Sequence, residues 1–221
     1  MQPHSGSPAS PVWLIGDSNP DPWAQRLKYP LDDRHPTRHN IWTPVWDRIQ
    51  DHVYREGRLR LHDRKLFIRN AVADANVKPR PSALEWTNQD LLSPVEWLRS
   101  DLHRFQPPLV LAFGQFAFEF VRRALYMQPP FPCQHWGLGN LRRAFDAAIA
   151  AFDQNEINVV PLLHATIARG KFLDAHAAFG GHYFGHTGER LAHLLLAHFR
   201  DAPIWVGGPS PDQDSEMKDD A

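Results

Sequence analysis

Four short apolar runs, Val12–Ile15, Leu66–Ile68, Leu109–Phe113 and Val159–Leu163, divide the chain, and small or polar residues follow each. Runs this short, punctuated in this way, read as buried strands rather than helices. Between them the apolar spacing changes to a helical period. Ile41, Val45, Ile49 and Val53 fall four apart and place one stripe on a helix. Phe116, Phe120 and Arg123-Ala124 continue a helix opened by Gly114, and Leu141, Phe145, Ala148 and Phe152 mark another. Leu191, Leu194, Leu195 and His198 mark a last one, with Thr187 as its expected cap. Gly180, Gly181 and Gly185 argue against a helix carrying His182 and His186. Strands alternating with helices predict an α/β fold, a three-layer sandwich with a central four-stranded parallel sheet.

Composition narrows this picture. A chain of 221 residues with 43% hydrophobic content supports one domain with a sizeable core. Residues 1–10 are rich in Pro, Ser and Gly and are expected to be loose; 11–206 form the single α/β domain; 207–221 form a disordered acidic tail. No apolar run reaches the length of a membrane span, and the N-terminus has no hydrophobic signal segment. The expectation is a soluble, cytoplasmic monomer with no membrane partner. One cysteine, Cys133, excludes an internal disulfide and a cysteine-built metal or iron–sulfur site. His35, His39 and His62 are scattered without ligand spacing, so no metal or cofactor is expected. Most of the eight Trp residues are expected in the core.

The net charge of −1 hides an asymmetry. Residues 212–221 hold five acids and one base, which leaves 23 basic and 20 acidic side chains in the rest. That balance permits a phosphate-rich partner without requiring one.

In parallel sheets, ligands bind outside the carboxyl ends of the strands. Those ends read Gly16-Asp17-Ser18-Asn19-Pro20, Asn70-Ala71-Val72, Gly114-Gln115 and His164-Ala165-Thr166. Each has an ordinary structural use: a cap, a turn, a loop hydrogen bond or a buried histidine. Their convergence on one sheet edge is the stronger signal. Gly16-Asp17-Ser18 looks like the nucleophile block of the SGNH esterases, with Ser18 as nucleophile. That family also carries a late Asp-x-x-His, whereas Pro161 stands three residues before His164. A serine without a carboxylate-held base is a weak nucleophile, and the esterase reading is set aside.

In their actual order, these segments resemble the uracil-DNA glycosylase superfamily over roughly residues 11–200. VWLIGDSNP (12–20) is similar to its first motif, and LFIRNAV (66–72) to the segment that supplies a pyrimidine-reading Asn. VLAFGQFA (110–117) looks like the third strand with its Gly turn, and VVPLLH (159–164) like the run into the His motif. Arg169-Gly170-Lys171-Phe172 resembles the Arg-Gly-aromatic stretch beyond it. The turn departs from Gly-Gln-Asp-Pro-Tyr and Gly-x-Asn-Pro-Gly, so both Asp17 and Asn19 remain candidates for water activation. Pro20 stands where the strictest uracil enzymes place an excluding Tyr, which leaves room for larger bases.

The resemblance implies a monofunctional DNA glycosylase that hydrolyses the N-glycosidic bond of a flipped-out uracil or modified pyrimidine. Its catalytic candidates are Asp17, Asn19 and His164, and its base-binding candidates Asn70, Pro20 and Trp42. Arg34, Arg38, Ile167, Arg169 and Lys171 are expected at the DNA, the last three after the His motif. Excision of a hypermodified phage cytosine in antiviral defence is the neighbouring expectation. A non-catalytic nucleic-acid-binding module of the same fold is the alternative outside catalysis.

Overall fold

A computed structural model of the chain describes residues 4–19, 27–28, 30, 43–164 and 176–206. Its strands are β1 (His4–Ser5), β2 (Val12–Gly16), β3 (Phe67–Asn70), β4 (Leu109–Phe113) and β5 (Asn158–Leu162). They form one five-stranded sheet in the order β1-β3-β2-β4-β5. The β3-β2, β2-β4 and β4-β5 pairs are parallel, while β1 joins β3 antiparallel. The four apolar runs are therefore the four parallel strands, and the sheet has one more strand than the pattern predicts. That strand lies inside residues 1–10, the segment expected to be loose. Its two residues are too few for periodicity to reveal. Ser10 nearby is buried, and the Trp13 indole donates to the carbonyls of Pro8 and Ser10.

The long helices among the described residues lie between and after these strands: α1 (Thr43–Gly57), α2 (Gln89–Phe105), α3 (Gly114–Ala124), α4 (Leu138–Ala150) and α5 (Tyr183–His198). Successive strand residues point to opposite faces. Val12 through Ile15 and Leu109 through Phe113 are nonetheless buried without exception, so both faces of the sheet are covered. This matches the parallel α/β arrangement and is compatible with three layers.

The apolar stripes lie where expected. Val45, Ile49 and Val53 of α1 are buried, as are Phe116 and Phe120 of α3 and Leu141 and Phe145 of α4. Ile41 falls outside the described residues. Helix α2 is not among the helices the apolar spacing predicts, although Leu91, Val95, Leu98 and Leu102 form a buried stripe on it. Pro94, which removes a helical N–H, obscures that stripe. Helix α5 begins earlier than predicted and contains Gly185 and His186. Its cap is His182, whose ring accepts a hydrogen bond from the Gly185 N–H at 2.8 Å. Thr187 lies inside the helix and donates its hydroxyl to the Tyr183 carbonyl. Gly185 falls in the first turn, where a glycine weakens a helix least, and Gly180 and Gly181 precede it. No helix among the described residues is long and apolar enough to cross a membrane.

Candidate active site

The register of β2 on β3 sets Gly16 beside Asn70, so the first two loops leave the sheet together. A Cβ on Gly16 would collide with the Asn70 carboxamide oxygen, so the absent side chain lets Asn70 lie across the end of β2. Asn70 Nδ2 donates to Asn19 Oδ1 at 2.9 Å, and Asn19 is only 4% exposed. Asn19 also bridges to Asp74, which ties the loop after β2 to the loop after β3. The two asparagines hold each other beside the site.

Asp17 faces the other way. Its Oδ1 accepts from the Ser18 hydroxyl at 2.9 Å and from Lys78 Nζ at 2.8 Å. Ser18 therefore gives its proton to a carboxylate, which further weakens the esterase reading. Lys78 follows the short turn Ala75–Val77, whose cap Asp74 accepts from the Asn76 N–H. Pro79 favours extended backbone at the residue before it, and Lys78 has φ −62° and ψ 145°. The ammonium also lies 5.7 Å from the Phe116 ring centroid.

From the far side of the sheet comes His164. Helix α3 starts directly at the end of β4 on Gly114, with φ +91°. A Cβ there would stand 2.6 Å from the Cβ of His164, so glycine is required by both backbone and neighbour. Burial lowers the His164 pKa below the ordinary histidine value, the Asp17 carboxylate opposes that shift, and the Lys78 ammonium adds to it. Burial thus favours the uncharged form of the ring. The backbone before it is anchored too: the Leu163 N–H donates to the Tyr183 hydroxyl at 2.9 Å. The Tyr183 N–H in turn donates to His176 Nδ1 at 2.9 Å. Tyr183 thus grips the chain on both sides of residues 165–175. Its phenol is fully buried, which pushes its pKa up.

Asp17, Lys78, Gly114 and His164 line one cavity of about 650 Å3 at the carboxyl edge of the sheet. Cys133 and Leu138 contribute to its opposite wall. Burial and the Glu119 charge push the Cys133 thiol up to about 12, so it is an inert wall residue at neutral pH. Glu119 itself is completely buried on α3. It accepts from Arg122, Arg123, the Phe131 N–H and the Trp136 indole, all at 2.8–3.0 Å. This cluster pins the 131–136 segment against α3 and so fixes the wall that Cys133 belongs to.

Of the residues singled out in the sequence, the fold brings Asp17 and His164 to one cavity. Asn19 and Asn70 sit next to it as a pair and are not among its described lining. Pro20, Trp42, Arg34, Arg38, Ile167, Arg169 and Lys171 lie outside the described residues. Lys78, Cys133 and Glu119 were not foreseen. The available signal for Lys78 was the Pro-flanked stretch Lys78-Pro79-Arg80-Pro81 directly after the second strand end. The chain matches no protein-family model and no curated protein.

Proposed function

We propose that the cavity receives a flipped-out pyrimidine nucleotide and that the protein is a DNA glycosylase hydrolysing its N-glycosidic bond. The observation that carries this reading is the meeting of a carboxylate and an imidazole whose burial favours its uncharged form, from the ends of β2 and β5, in one cavity. It takes the architecture as the three-layer sandwich of the uracil-DNA glycosylase superfamily that the sequence resembles. Cleavage builds positive charge on the sugar and negative charge on the departing base. Asp17 stabilises the first and orients or deprotonates the attacking water, with its free oxygen available while Oδ1 holds Ser18 and Lys78. A neutral His164 donates a hydrogen bond to the pyrimidine oxygen as charge collects there, without itself giving up a proton. Asn70 reads a base edge only by exchanging its Asn19 partner for the base.

The candidate bases run from uracil to 5-modified cytosines, because Pro20 stands where the strictest uracil enzymes place an excluding Tyr. The cavity is about 650 Å3, with Cys133, Leu138 and Leu141 on its wall. The test is base release from DNA carrying uracil, 5-hydroxymethylcytosine or glucosylated hydroxymethylcytosine, read as free base and alkali-labile sites. Release that is lost in D17N and H164Q supports the reading. DNA binding with no release from any substrate overturns it in favour of a non-catalytic binding module.

A further inference from the structure

Lysine heads usually stay in water while their stems cover apolar surface. Lys78 places its head against a carboxylate. Its side chain is about a third exposed, yet its ammonium turns inward to Asp17 at 2.8 Å and lines the same cavity as His164. The backbone that presents it is fixed from both directions, by the capped turn Ala75–Val77 before it and by Pro79 after it. Imine formation with a carbonyl compound needs the free amine, and a carboxylate in hydrogen-bond contact is a group that can take the ammonium's proton and return it to the departing hydroxyl.

We propose that Lys78 is a Schiff-base nucleophile and that the protein also cleaves the DNA strand at abasic sites. This rests on the reading of the cavity as the place where the deoxyribose sits, since Asp17 would then hold Lys78 next to C1′. It goes beyond a monofunctional enzyme, which would leave the strand at an abasic site intact. Loss of the base leaves a hemiacetal that opens to an aldehyde at C1′. Lys78 passes a proton to Asp17, and its lone pair forms a bond to C1′. The carbinolamine hydroxyl takes that proton and leaves as water, giving a protonated imine. Asp17, again a carboxylate, removes a proton from C2′. The electron pair of that C–H bond forms the C2′–C3′ double bond, and the 3′-phosphate leaves with the electrons of its C–O bond. Water then hydrolyses the imine and returns the lysine, so no oxidant or reductant is consumed.

The experiment uses DNA with a preformed abasic site, so that it does not depend on base release. Full-length protein is incubated with it, with and without sodium borohydride. The expected results are strand cleavage without borohydride and a covalent protein–DNA adduct with it, the modified residue mapping to Lys78 by mass spectrometry. K78R keeps a cation beside Asp17 but has no amine able to form an imine, and it should lose both adduct and cleavage. Its melting curve establishes that it is folded. If the wild type gives no adduct, or if K78R is trapped as well as the wild type, the proposal is overturned. The glycosylase reading is judged separately, by release from the base panel.

Discussion

Gly114→Ala is the sharpest perturbation the site offers, because two independent costs meet at one atom. The backbone has φ +91°, a region that disfavours any Cβ by about 1–2 kcal/mol. The added methyl would stand 2.6 Å from the Cβ of His164, so that residue or α3 must move. Inserting a methyl into a packed position costs about 1–3 kcal/mol. Together a loss of roughly 2–5 kcal/mol in folding stability is expected. A displacement of His164 by ~1 Å would lower any reaction it serves by about a hundredfold. Urea denaturation followed by tryptophan fluorescence measures the first, and base release by the surviving folded protein measures the second. Gly139→Ala is the control. Gly139 lies in the first turn of α4 with nothing near its would-be Cβ, so alanine there should leave stability within ~0.5 kcal/mol of wild type. If G114A unfolds within ~0.5 kcal/mol of wild type, the range set for surface changes, the close packing of His164 on Gly114 is wrong.

Three further outcomes are expected. Glu119→Ala leaves Arg122 and Arg123 without their buried carboxylate and should cost about 3–5 kcal/mol in urea melts, whereas a loss below ~1 kcal/mol would deny the cluster its role. His164, with a folded pKa below its unfolded value, binds its proton more readily in the unfolded chain. Above pH ~6.5 it contributes nothing to the pH dependence; below that value stability should fall with pH until the folded pKa is passed, and H164Q should flatten this slope in melts across pH 5–7. Tyr183→Phe removes the acceptor for the Leu163 N–H and should cost about 1–3 kcal/mol, with faster amide exchange at Leu163; unchanged exchange would refute the anchoring.

The parallel strands were legible because a strand buried on both faces must be apolar along its whole length, and four such runs stand out against helical spacing. Helix α2 was not, since Pro94 and a polar surface dilute its stripe. The start of α5 was misread for a similar reason: glycines lower helix propensity, but His182 supplies a cap that composition does not advertise. Asp17 and His164 could be brought together from sequence because strand ends of a parallel sheet share an edge by construction. Lys78 comes from a loop, and Glu119 from a helix position that amphipathic spacing would give to an apolar residue, so their partners depend on tertiary contacts. The Asn19–Asn70 pairing is of the same kind.

The order β1-β3-β2-β4-β5 leaves two margins, and neither presents a long regular edge among the described residues. On one, the two residues of β1 cover β3 and then run out, so the strand bearing Asn70 offers no long row of unpaired backbone groups. On the other, β5 carries Pro161 in its interior, a residue a continuing ladder does not accept. Among the described residues, a second copy or an extended peptide therefore meets only a two-residue edge on one rim and a proline-interrupted edge on the other. Removing residues 4–5 would uncover the backbone groups of Ile68 and Arg69 on β3 and lengthen the exposed edge of the sheet.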